Sequence, residues 1–167
     1  GKAVKTLLFI NGPMGVGKTA VCKALLKRLT PGAYLDGDHC WDMAPFRVTD
    51  ETRSMVLDNI TAVLSRFLAC PELDYVIFGW VMHRPEIAQR ILERLDLNDV
   101  TVFRYTVVCS AQTLRRRIEG DIRSGLRGPD ALERSLEYLP LYGVQDTVKI
   151  QTDGSSPQQT AEIIVKK

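Results

Sequence analysis

Paired cysteines are missing from this sequence. Cys22, Cys40, Cys70 and Cys109 stand far apart, in neither a CxxC nor a Cys/His grouping. They read as reduced thiols, which makes a cytoplasmic protein the expectation, and Cys22 and Cys109 lie in apolar stretches that suit a core. A long hydrophobic run is also missing. No segment approaches the roughly 18 apolar residues that a membrane span needs, and no signal-peptide pattern is seen, so neither membrane insertion nor export is expected. Nor is there a surplus of one charge. Lys and Arg total 22 against 20 Asp and Glu, a formal charge of +2. That balance points to no nucleic-acid partner, and to no polyanion beyond a small phosphorylated ligand. What remains is an ordinary globular composition, 45% hydrophobic and 25% charged. The chain is long enough to bury a real core, and no repeat or linker divides it. One domain over residues 1–167 is expected, and nothing bears on its oligomeric state.

Against this background one stretch stands out. Residues 12–19, Gly-Pro-Met-Gly-Val-Gly-Lys-Thr, fit the pattern G-x-x-x-x-G-K-T. A loop that holds a polyphosphate needs these residue types at this spacing. Gly12, Gly15 and Gly17 let backbone N–H groups approach the anion, and Lys18 supplies a mobile positive charge. The Thr19 hydroxyl suits a Mg²⁺ ligand. Before the loop, Thr6 to Ile10 is a short apolar run that suits a buried strand. After it, Val21, Cys22, Leu25, Leu26 and Leu29 recur at helical spacing. Strand, glycine loop and helix together imply a nucleotide site rather than a bare turn.

The rest of the chain alternates in the same way. Thr30-Pro31-Gly32 ends the first helix, and Ala33 to Leu35 is a short second strand. Thr49 caps a long helix with one apolar face through Val56, Ile60, Leu64 and Phe67, which Pro71 stops. Tyr75 to Val81 is a third strand, and Pro85 opens the next helix. Val100 to Val108 is the fourth strand, and Ser110 caps an arginine-rich helix. A shorter helix follows around Asp130 to Leu139, then a fifth strand over Thr147 to Ile150. Ser155 or Ser156, with Pro157, opens the last helix. Alternating strands and helices predict a parallel sheet covered on both faces, with ligands at the carboxyl ends of the strands. The loops at 12–19, 36–47, 79–85 and 152–156 should therefore surround one cleft.

Three stretches give the chain a likeness to a known group: Gly12 to Thr19, Leu35-Asp36-Gly37-Asp38, and Leu114-Arg115-Arg116-Arg117-Ile118-Glu119-Gly120-Asp121. In these it resembles the small P-loop kinases, such as adenylate, shikimate, gluconate and adenylylsulfate kinases and chloramphenicol phosphotransferase. The resemblance implies a three-layer fold with strand order 2-3-1-4-5, an arginine-rich lid over about 115–130, and ATP with Mg²⁺ as cofactors. It also implies a small-molecule phosphate acceptor such as a nucleoside or nucleotide. Gly12, Pro13, Met14, Gly15, Val16, Gly17, Lys18, Thr19 and Ala20 would hold the nucleotide phosphates, with Lys18 also catalytic. Asp38 resembles the base or acceptor-binding carboxylate, with Asp36 beside it, although Asp-Gly-Asp also suits a plain turn. Thr19 and Asp38 would be the Mg²⁺ ligands. Arg117 takes the place of an arginine that packs against the nucleotide in adenylate kinase, and Asp121 replaces a second one. Ser155 falls in a loop resembling the one that cups the purine.

Residue chemistry adds further candidates. Arg116, Arg123 and Arg127 form a stripe with no acidic residue four positions on, whereas Arg115 and Arg117 each have one. Arg127 first and Arg123 second are the expected catalytic lid cations. Trp41, Arg47, Trp80 and His83 fall on the acceptor side and suit a planar or anionic substrate, although each also suits a packing or surface role. Two other classes remain open, an NTP hydrolase and a nucleotide-binding regulator. A GTPase would carry D-x-x-G and N-K-x-D, and neither occurs. Strand three ends Phe78-Gly79-Trp80, without the acidic residue usual in phosphate-loop ATPases.

Overall fold

The computed structural model describes residues 4–166. Its centre is β1 (Lys5–Asn11), whose Leu7 to Ile10 are buried on both sides. A strand can be apolar throughout only if both faces of its sheet are covered. Leu7 and Phe9 pack into one cluster, and Leu8 and Ile10 into another. β1 lies between β3 (Tyr75–Trp80) and β4 (Val100–Val108), with β2 (Gly32–Asp36) beyond β3 and β5 (Val148–Gln151) beyond β4. All four pairings are parallel. The order 2-3-1-4-5 agrees with the order implied by the resemblance.

One face carries α1 (Lys18–Arg28), α4 (Ala111–Arg123), α5 (Ala131–Gly143) and α6 (Pro157–Val165), which meet around Leu25, Leu114, Ile118 and Ile164. The other carries α2 (Asp50–Ala69) and α3 (Pro85–Glu93), which meet around Ile60, Leu64, Phe78 and Ile91. No helix among the described residues is long and apolar enough to cross a membrane.

Several boundaries differ from the sequence reading: β1 is longer by one residue at each end, and β5 is shifted one residue toward the carboxyl end. β2 begins at Gly32 and reaches Asp36, because pairing with β3 from Tyr75 to Gly79 extends it at both ends. β3 stops at Trp80, where its pairing with Asn11 of β1 ends. α5 continues past Leu139 through Pro140 to Gly143. Tyr142 is buried there, so packing of the helix face outweighs the donor lost at Pro140. The expected lid segment is the second half of α4 plus residues 124–130 that lead into α5.

Pairing fixes where the chemistry-bearing ends meet. Asp36 stands opposite Gly79, and Asn11 opposite Trp80. The ends of β2, β3 and β1 therefore lie side by side at one edge of the sheet.

Candidate active site

The loop after β1 is tied down by a buried amide. Asn11 Oδ1 accepts from the N–H groups of Gly12 and Met82 at 2.8 and 2.7 Å, and Asn11 Nδ2 donates to the Met82 carbonyl at 2.8 Å. The same carbonyl accepts from Gln145 Nε2 at 2.7 Å. Neither Asn11 nor Gln145 was a candidate from sequence, and the one available signal was a polar residue closing an apolar strand. Gly15 and Gly17 have φ of 84° and 99°, in the left-handed region where a side chain is strained. Gly17 ends the loop without a side-chain cap, which leaves the first N–H groups of α1 facing outward for an anion.

Lys18 Nζ donates to the Pro13 carbonyl at 2.9 Å, so its ammonium lies across the loop. Burial lowers its pKa to about 8, against the raising influence of Asp38, Cys22 and Asp36, and Arg127 lowers it further. Thr19 Oγ1 is 3.4 Å from Asp36 Oδ2. Asp36 thus stands at the Thr19 position where the sequence reading had placed Asp38.

The Asp-Gly-Asp segment is more than a turn of convenience. Asp36 Oδ1 accepts from the Asp38 N–H at 2.9 Å, which starts a 3₁₀ turn over Gly37–Trp41. Gly37 lies against the Trp80 ring, where a Cβ would come within 2.4 Å of Trp80 Cγ. That close approach lets Trp80 Nε1 donate to Asp38 Oδ1 at 3.1 Å. Burial, then Asp36, raises the pKa of Asp38, opposed by Lys18, Trp80 and Arg127.

These groups share a cleft of about 580 Å³ whose walls include Lys18, Thr19, Asp36, Asp38, Trp80 and Arg127. Lys23, Tyr34 and Asp121 also line it. Arg127 Nε donates to Asp121 Oδ2 at 2.9 Å. The expectation that Arg127 stands clear of acidic partners therefore fails. The loop after α4 folds back over six residues, a reach that i,i+4 spacing does not reveal.

Arg117 lies between two hollows. Its Nη1 donates to the Val16 carbonyl at 2.6 Å. It also lines a hollow of about 180 Å³ with Val16, Thr152 and Ser155, next to the loop after β5. Other candidates stay apart from the cleft. Arg123 and Arg47 are exposed and outside its walls. Trp41 packs on the α2 side, with Phe46 at 5.6 Å between ring centroids. His83 stacks on Tyr138 at 4.7 Å in a separate small pocket. None of residues 42–47 lines the cleft.

The family described as AAA domain matches residues 8–128. No curated protein matches the sequence. Three solved structures are similar in fold. A tunicamycin resistance protein of Deinococcus radiodurans has 18% identity and a TM-score of 0.67 over 97% of this chain and 94% of its own. A gluconokinase of Sinorhizobium meliloti has 18% identity and a TM-score of 0.65 over 96% and 91%. A shikimate kinase of Acinetobacter baumannii, solved with shikimate, has 17% identity and a TM-score of 0.65 over 97% and 92%. At such identities the likeness is one of fold, a P-loop kinase fold.

Proposed function

The chain belongs to the AAA domain family, and from that premise we propose that it is an ATP-dependent phosphotransferase. In this reading it moves the γ-phosphate of ATP to a hydroxyl, or a phosphate, of a small metabolite such as a nucleoside or nucleotide. The observation that carries the reading is Asp38, fixed by Trp80, in one cleft with Lys18 and Arg127. A carboxylate there can accept the proton of an attacking hydroxyl, and its raised pKa makes it a stronger base than an exposed aspartate.

The roles divide by position. Gly12 to Ala20 cradle the phosphates, with Lys18 moving from the Pro13 carbonyl to the β- and γ-oxygens. Arg117 and Ser155, flanking the smaller hollow, take the base side of the nucleotide. Arg127 exchanges Asp121 for the transferring phosphoryl group, where a cation stabilises developing charge. Asp36 holds the 3₁₀ turn and so aims Asp38.

Mg²⁺ fits the donors present. Thr19 and Asp36 bring two hard oxygens to one edge of the loop, with Asp38 beyond them. No group of three or more His, Cys, Asp or Glu that could hold a metal occurs among the described residues. Phosphate oxygens and water would complete the shell. When bound, Mg²⁺ neutralises phosphate charge.

The test is ADP release with and without a panel of nucleosides, nucleotides, sugar acids and alcohols. A phosphotransferase shows release stimulated by one acceptor and a phosphorylated product. Release that no acceptor changes means a hydrolase, and no release means a regulator. Either result overturns the proposal.

A further inference from the structure

Tyr34 lines the cleft with a polar atom that the roles above leave unused. It lies on β2 two residues before Asp36, so the two side chains leave the strand on one face. On α1, Thr19 and Cys22 are three residues apart and share one face of the helix. The two rows meet. Thr19 Oγ1 is 3.4 Å from Asp36 Oδ2. One turn further along α1, Cys22 and Tyr34 meet over Gly79, where an added Cβ would lie 2.8 Å from Cys22 Sγ and 3.6 Å from the Tyr34 oxygen. The Tyr34 hydroxyl thereby reaches both the Thr19 hydroxyl and the Cys22 thiol. We propose that Tyr34 is a positioning residue, which sets the Thr19 hydroxyl for the Mg²⁺ of the bound nucleotide.

The argument is one of lone pairs. A hydroxyl oxygen has one proton to give and two lone pairs. At Thr19 the proton goes to the Asp36 carboxylate. A proton donated by Tyr34 takes one lone pair and leaves the other, at a fixed angle, for the metal. Without that donation the Thr19 hydroxyl turns about its Cβ–Oγ bond, and its proton can point where the metal should sit. Tyr34 has a single proton and two neighbours that could take it. Cys22 is 0% exposed in an apolar cluster, and a neutral thiol sulfur is a weak acceptor, so the Thr19 oxygen is the better one. Burial, then Cys22 and Asp36, raises the pKa of Tyr34, which keeps the proton in place. Gly79 belongs to the same arrangement, because a side chain there would strike Cys22 and part the two rows.

The inference rests on the fit of Mg²⁺ to Thr19 given above, and it is read from binding, without an acceptor. Calorimetry gives the affinity for ATP with excess Mg²⁺ and again in EDTA, and the ratio of the two is the gain from the metal. Tyr34→Phe should cut that gain about tenfold, the scale on which groups behind a ligand tune metal affinity. Its affinity in EDTA should stay at the wild-type value, which also reports that the variant is folded. Thr19→Ala should remove the gain, and adding Tyr34→Phe to it should change nothing further, because the tyrosine acts through the threonine. Should Tyr34→Phe fail to fold, Cys22→Ser serves instead. A serine oxygen competes for the Tyr34 proton better than a thiol does and should lower the gain about two- to threefold. A full gain in whichever variant is used, an equal loss with and without Mg²⁺, or additive losses in the double variant overturns the proposal. The second of these would mean that Tyr34 only packs. Failure of the phosphotransfer reading looks different: the gain and its loss in Tyr34→Phe persist while no phosphorylated product forms with any acceptor.

Discussion

At the scale of single residues, two titrating groups of opposite kind face one cleft. Asp38 is a carboxyl with a raised pKa, so its basic form appears only as pH rises through that raised value. Lys18 is an amine lowered to about 8, so its charged form is lost above that pH. Asp38 acts above its transition and Lys18 below its own, so kcat/KM for ATP should be bell-shaped, falling above about pH 8. Bound phosphates favour charged Lys18, so the alkaline fall in kcat should lie at higher pH than that in kcat/KM. Asp38→Asn should lower kcat by about 10²–10⁴ and remove the acid limb, with ATP affinity retained. Near-normal turnover in that variant would rule out its role as base. Arg127 and Arg123 separate on geometry. Arg127→Ala should cost about 10³ in kcat, whereas Arg123→Ala, exposed outside the cleft, should stay near wild type. Equal losses for both would show that residues 124–130 rearrange when substrates bind.

Among elements, α4 decides how the loop is covered, because it carries Arg117 to the Val16 carbonyl. Its start is held twice. Ser110 Oγ accepts from the Thr113 N–H at 3.1 Å, and Asp153 accepts from the Ser110 N–H at 3.1 Å. Ser110→Ala should therefore cost about 1 kcal/mol, read as a fall of about 2–4 °C in Tm. A fall within error would show the cap to be idle. This cap was legible in the sequence, as were Thr49 before α2 and the phosphate loop itself, because each depends on residues within a few positions of one another. Sheet order was not legible from periodicity and rested on the resemblance. The contact of Asp36 with Thr19 was hidden as well. It requires the end of β2 to lie close to the start of α1, and only strand order sets that. Trp41 and Arg47 shared a loop with Asp38 in sequence, yet the 3₁₀ turn after Asp36 carries the chain toward α2. The Arg127–Asp121 pair depends on a loop reversal that no helical spacing encodes.

Across the whole molecule, the phosphate loop is joined to the most buried part of the structure. It leaves β1, the central strand, and enters α1, whose Leu25 is fully buried in the cluster that also holds Ile118 and Ile164. Asn11 and Gln145 tie the same loop to Met82 after β3 and to the end of α5. A ligand that closes on this loop binds the native arrangement and not the unfolded chain, so its binding energy adds to global stability. With free ATP at about 100 times its Kd the gain is about 2.7 kcal/mol, and for a domain of this size Tm should rise by about 5–10 °C. Lys18→Ala should lose most of that rise, because phosphate contact is what the lysine supplies. Asp38→Asn should keep it, because that carboxylate serves transfer rather than nucleotide binding. The pairing of variants separates the two halves of the cleft in one thermal experiment. If Lys18→Ala kept the full rise, ATP would be binding elsewhere. If Asp38→Asn lost it, Asp38 would belong to the nucleotide side, and the base would have to be sought among the other groups facing the cleft.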